Sequence, residues 1–136
     1  MGETCVRVRV GAEEYALPVR HVPEVAELGD VTPVPGSPPQ VMGIRNLRGE
    51  VIPVFDMASA LGASGSGTPE RIVLADVDGR RCGLAVDAVL EVAELEAAEE
   101  SVDSPLLLGA VLIEGRLVGM VDVPALLAAL APGEAP

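Results

Sequence analysis

The chain repeats itself, and that limits its architecture more than any other feature. Leu17, Val19, Val22, Glu24, Val25, Ala26, Glu27 and Leu28 recur as Leu84, Val86, Val89, Glu91, Val92, Ala93, Glu94 and Leu95, and both 84 − 17 and 95 − 28 give 67. Further on, Gly43, Gly49 and Asp56 recur as Gly109, Gly115 and Asp122, where both 109 − 43 and 122 − 56 give 66. Self-similarity at a near-constant offset means two copies of one supersecondary unit. Each copy has to fit in about half of a 136-residue chain.

The unit reads as strands. From Thr4 to Val10, Val6, Val8 and Val10 alternate with Cys5, Arg7 and Arg9, the period of two of a half-buried strand. Gly11 to Glu14 turns the chain into a second strand, Tyr15 to Val19. Arg20 to Pro23 reads as a turn or a single helical turn before the apolar piece Glu24 to Leu28, and Pro18 and Pro23 forbid a long helix. Thr32 to Pro39 is held extended or turning by its prolines, a rigid connection. Val41 to Leu47 and Val51 to Phe55 then flank Arg48, Gly49 and Glu50, a hairpin with a polar tip. Arg71 to Val77 and Arg80 to Val86, joined by Asp78-Gly79, carry a strong hairpin signal. Short helices are expected over Met57 to Leu61 and over Pro124 to Leu130, the second opening on a proline and capping a barrel end.

About five short strands per copy avoid open edges by closing into a small barrel. The expected class is therefore all-β with short helices, as two SH3-like barrels. Gly62 to Pro69 has the composition of a flexible linker, so subdomain 1 is placed at about 6–62, subdomain 2 at about 71–130 and the linker at 62–70. With no Trp, one Tyr and one Phe among 49% apolar residues, the core must be Val, Leu, Ile and Ala, which suits strands.

Charge narrows the partners. Nine Lys and Arg against 21 Asp and Glu leave −12, which speaks against nucleic acid and anionic membrane surfaces. The opening residues do not read as a basic-then-apolar leader, and no apolar run approaches the roughly 18 residues of a spanning helix, so a cytoplasmic protein without membrane insertion is expected. Cys5 and Cys82 lie far apart beside a single histidine, a pattern for neither a disulfide framework nor zinc, and both read as small buried hydrophobes. His21 has no nucleophile near it in sequence, and the glutamates of Glu91 to Glu100 lack a calcium-loop pattern. No cofactor and no metal are expected. Asp56, Asp87 and Asp122 read as caps at strand ends.

Within the duplicated frame the two hairpin tips differ. Arg45, Asn46, Leu47 and Arg48 correspond to Val111, Leu112, Ile113 and Glu114, so something asymmetric is asked of the first tip. Arg48 is the leading candidate, because a guanidinium pairs bidentately with a carboxylate.

Tyr15-Ala-Leu-Pro-Val, Val22 to Val25, Thr32-Pro-Val-Pro-Gly, Gly43-Ile-Arg-Asn-Leu-Arg-Gly-Glu-Val-Ile-Pro-Val-Phe-Asp and Gly83-Leu-Ala-Val-Asp-Ala-Val together resemble the CheW family of chemotaxis adaptors, from about Val6 to about Leu130. The resemblance implies two intertwined five-stranded barrels and no catalysis. It implies a scaffold that joins the regulatory domain of the histidine kinase CheA to the cytoplasmic tip of methyl-accepting chemotaxis receptors, in membrane-receptor arrays. Arg48 matches the family's Asn-Leu-Arg-Gly arginine, with Arg45 and Asn46 beside it. Val22, Glu24, Val25, Gly83 and Val92 match positions that help line a receptor-facing groove. The stretch 96–108 is short and acidic for the family, and the proline-rich connection and scarcity of aromatics also depart from its pattern. Two other readings keep a place: a thiol-based redox sensor or enzyme using Cys5 and Cys82, and an isolated kinase regulatory domain with other partners.

Overall fold

The computed structural model describes residues 2–63, 65, 67–96 and 101–130. Positions 64 and 66 of the linker and 97–100 of the acidic stretch lie outside them. In chain order the elements are β1 (Glu3–Val10), β2 (Glu13–Pro18), a 3-10 turn (Val19–His21), β3 (Glu24–Glu27), β4 (Val41–Leu47), β5 (Glu50–Asp56), α1 (Met57–Leu61), β6 (Arg71–Val77), β7 (Arg80–Val86), β8 (Ala88–Leu95), β9 (Leu107–Ile113), β10 (Arg116–Val121) and α2 (Val123–Leu130). The strands coincide with the alternating and β-branched runs. Asp56 and Asp122 cap the helices, accepting from the amides of Ala58 and Ala125 at 3.2 and 3.1 Å.

The strands form two five-stranded sheets, ordered β8-β1-β2-β10-β9 (sheet A) and β3-β6-β7-β5-β4 (sheet B). Each sheet takes two strands from one repeat and three from the other. The repeat offset carries one order onto the other, and the registers follow: Val8 opposes Tyr15 as Ala75 opposes Cys82, and Val54 lies beside Gly83 as Met120 lies beside Ala16. The barrels are thus intertwined through the parallel pairs β5·β7 and β2·β10. Segments 6–62 and 71–130 both supply strands to both sheets, so neither barrel is made from one of them alone.

Strand alternation explains where the apolar residues go. One face of each sheet joins a large shared cluster that includes Val8 and Leu17 of sheet A, Val73 and Leu84 of sheet B, and Val123, Leu126 and Leu127 of α2. The expected C-terminal helix therefore packs into the core common to both sheets. The opposite faces curl around separate small clusters, Cys5, Ala16, Val111, Val118 and Met120 in sheet A, and Val54, Ile72 and Ala85 in sheet B. Matching bulges sit where β4 meets β5 and β9 meets β10. At the first, Gly43 has φ +150°, and a Cβ there would stand 2.1 Å from the Thr32 carbonyl oxygen. Only glycine lets the proline-rich connection lie against β4, where Thr32 and Ile44 exchange backbone hydrogen bonds of 2.8 and 2.9 Å.

Candidate functional site: a charged barrel mouth

The β4–β5 tip turns through Arg48 and Gly49, both at positive φ (52° and 89°), as a tight hairpin requires. Asn46 supports the turn, its Oδ1 accepting from the Gly49 amide at 2.9 Å. Glu114 has φ 50° at the matching position of the second tip, so the left-handed backbone belongs to the turn and is not particular to arginine.

What is particular is the ion pair. Arg48 Nη2 donates to both carboxylate oxygens of Glu24. Glu24 is on β3 and Arg48 follows β4, the two edge strands of sheet B, so the pair bridges the seam where the sheet curls on itself. Arg45 crosses the same seam. Its Nη1 donates to the Asn46 carbonyl at 2.9 Å and its Nη2 to the Glu27 carbonyl at 3.4 Å, and its guanidinium lies over Gly29, where a Cβ would come within 2.7 Å. Arg81 on β7 adds bridges to Glu50 at 2.8 Å and Asp76 at 3.4 Å. Three arginines and three carboxylates thus ring this mouth. The hydrogen bond from Arg48 holds the Glu24 carboxyl below its ordinary range, and Glu24 raises Arg48 in turn.

Sheet A closes its mouth by other means. Arg7 on β1 donates to Glu14 at 2.6 Å and to Glu91, and Arg116 stands 3.5 Å from Glu14. Glu14 and Arg116 occupy the repeat positions of Arg81 and Glu50, so this bridge exists in both sheets with its polarity reversed. Glu91 and Glu114 take the places of Glu24 and Arg48. Two carboxylates cannot pair, and Glu91 turns to Arg7, whose place in sheet B is held by Leu74.

Of the residues marked by sequence, Arg45, Asn46, Arg48 and Glu24 come together here. Val25 is half-buried on β3 against the shared core. Val22 is buried within that core, and Gly83 is buried on β7, where a Cβ would come within 2.8 Å of Ile72 Cγ2. Neither reaches the surface, so any influence they have on a partner is exerted through the shape of the barrels. Val92 is exposed on β8, an edge of the other sheet. Sequence reasoning missed Arg81, Glu50 and Asp76. The signal that could have found Arg81 and Glu50 was their sign reversal with Glu14 and Arg116 at the repeat offset.

The thiols lie in different clusters, Cys5 inside sheet A and Cys82 in the shared core. Burial pushes both up, Cys82 to about 12, far from the reactive thiolate range. Among the described residues no group of His, Cys, Asp and Glu is placed to hold a metal ion, and no helix is long and apolar enough to cross a membrane.

Residues 4–131 match the family model of the CheW-like domain. The chain is 30% identical over 132 residues to a chemotaxis protein CheW of Rhizobium meliloti, covering 90% of this chain and 85% of that protein. It is 32% identical over 123 residues to a chemotaxis protein CheW of Thermotoga maritima, covering 84% and 80%. The crystal structure of the scaffolding protein TtCheW from Thermoanaerobacter tengcongensis superimposes with a TM-score of 0.81 at 28% identity, over 90% of this chain and 86% of that one.

Proposed function

The chain belongs to the CheW-like domain family, and from that premise we propose that it acts without catalysis, coupling methyl-accepting chemoreceptors to the regulatory domain of the histidine kinase CheA. Its role is that of a chemotaxis adaptor and scaffold. The observation that carries the finer reading is the asymmetry between the mouths. One scaffold, duplicated, has an exposed arginine at one tip and a glutamate at the other. The pair with Glu24 is an exposed bridge that adds little to folding, whereas a partner that carries carboxylates gives the arginine a use.

In this reading Arg48 is the principal contact, with Arg45 and Asn46 fixing the tip and Glu24 holding the guanidinium extended until a partner engages it. Val25 and Val92 supply apolar contacts to a helical receptor tip, in the manner of helix-in-groove recognition. Val22, in the core the two sheets share, and Gly83, inside sheet B, act only through the shape of the barrels behind them. The protein works in the cytoplasm and is drawn to membrane receptor arrays through these contacts. The test is binding of the full chain to a CheA regulatory domain and to a receptor-tip fragment, with Arg48→Glu in parallel. Binding by the wild type and marked loss in the folded variant support the reading. Equal binding by both removes Arg48 from it, and no binding by either leaves the family fold without this function.

A further inference from the structure

Arg48 can meet a partner only by giving up Glu24. One of its nitrogens donates to both oxygens of that carboxylate, so a partner's carboxylate that takes the guanidinium leaves Glu24 behind at the seam. The Glu24 side chain is 26% exposed and has the carboxylates of Glu50 and Asp76 in the same mouth. Arg45 is turned to the carbonyls of Asn46 and Glu27. Arg81 is the other cation at hand.

Strand register puts Arg81 on the right side of the sheet. Glu24 on β3 opposes Leu74 on β6, Leu74 opposes Gly83 on β7, and Asp76 opposes Arg81. Cross-strand partners share a face and alternate residues return to it, so Glu24, Asp76 and Arg81 all lie on the face that lines the barrel of sheet B. The Glu24 carboxyl is held down first by the hydrogen bond from Arg48, and the charge of Arg81 adds to that effect. Arg81 also has donors to spare. Its Nη1 donates to Glu50 at 2.8 Å and its Nε stands 3.4 Å from Asp76, yet that buried Nε has no hydrogen-bond partner among the described residues. Sheet A is built otherwise, with Glu14 at the repeat position of Arg81 and Arg7 serving Glu14 and Glu91 at once.

We infer that Arg81 takes over Glu24 when a partner's carboxylate draws Arg48 away, and so sets how readily Arg48 is released. Arg81 is a positioning residue: it acts through Glu24 and Arg48 and touches no partner itself. The inference rests on the reading of Arg48 as the principal contact and names the residue on which that contact depends. With Arg48 engaged, Arg45 and Arg81 still face Glu24, Glu50 and Asp76. Without Arg81 a single arginine would face the same carboxylates, and their field would hold Arg48 back.

NMR titration of the Glu24 carboxyl in the full chain tests the handover without any partner, circular dichroism confirming the fold of each variant. In Arg48→Gln, Glu24 should still titrate below its ordinary range, and adding Arg81→Gln should move it up. A Glu24 titration that does not move when Arg81 is removed overturns the inference. Its effect on binding is read by titration calorimetry at low salt against a CheA regulatory domain, with Arg48→Glu as the reference for the contact. Arg81→Gln should bind about threefold more weakly than the wild type, and Glu24→Gln in the same chain should restore the affinity, since nothing then holds Arg48 back. A merely structural role for Arg81 would not be rescued in that way. Wild-type affinity in Arg81→Gln, or a loss that Glu24→Gln leaves in place, also overturns it. Equal binding by the wild type and Arg48→Glu removes the contact itself and with it the role of Arg81 in binding, so the two failures are told apart.

Discussion

Gly43→Ala should destabilise the protein by about 2–5 kcal/mol, out of proportion to one methyl group. The residue sits at φ +150° in the β4 bulge, and its new Cβ would fall 2.1 Å from the Thr32 carbonyl oxygen and 2.6 Å from the carbonyl carbon. Backbone cannot move aside as a side chain can, so the connection must lift away from β4. Holding a non-glycine residue in such a conformation costs of order 1–3 kcal/mol. Lifting the connection breaks the two hydrogen bonds between Thr32 and Ile44, each worth about 0.5–1.5 kcal/mol net. The gain from a stiffer unfolded chain, about 0.4–1 kcal/mol, offsets part of this. Urea unfolding should show a lower midpoint at unchanged slope, and amide exchange at Thr32 and Ile44 should lose protection. A loss under about 1 kcal/mol with both amides still protected would refute the argument, since the bulge would then not depend on glycine.

Other expectations follow from the same geometry. Arg48→Glu should leave the midpoint of a chemical melt nearly unchanged, because the pair with Glu24 is exposed and the turn already accepts glutamate at Glu114. Asn46→Ala should cost about 0.5–1.5 kcal/mol in the same assay, by removing the acceptor of the Gly49 amide. Cys82, raised to about 12 in the fold, favours folding fully below the usual thiol range of about 8.5 and loses that contribution as pH climbs toward 12. Stability should therefore fall there by up to about 1.4 kcal/mol per pH unit, and Cys82→Ala should flatten the decline. Native-state thiol labelling of both cysteines should be slow, and rapid modification would contradict their burial.

Much of this was legible in the sequence because repetition and alternation are local signals. The Asp78-Gly79 hairpin, the β4–β5 hairpin and both helices lie where turn chemistry and β-branched runs place them. The exchange of strands between repeats was not readable from strand pattern, since β5·β7 and β2·β10 are parallel pairs between distant segments that leave no trace in local periodicity. It was expected only through the family resemblance. At the site, the tip residues were visible because they break the symmetry of the repeat. Val22 and Gly83 look alike in sequence whether they line a groove or fill a core, and packing puts both inside. Arg7 and Arg81 escaped notice because an arginine within an alternating strand reads as outward-facing, while here each serves as part of a barrel mouth.

The central claim is that Arg48 meets a partner directly and is more than a clasp on Glu24. Affinity for the CheA regulatory domain and for a receptor-tip fragment should be measured by titration calorimetry with the wild type, Arg48→Glu, and the exchanged pair Glu24→Arg with Arg48→Glu. The exchange restores an ion pair across the seam while leaving no arginine at the tip position. The account predicts a loss of about tenfold or more for Arg48→Glu toward at least one partner, retained in the exchanged pair. Wild-type affinity in both folded variants would contradict it.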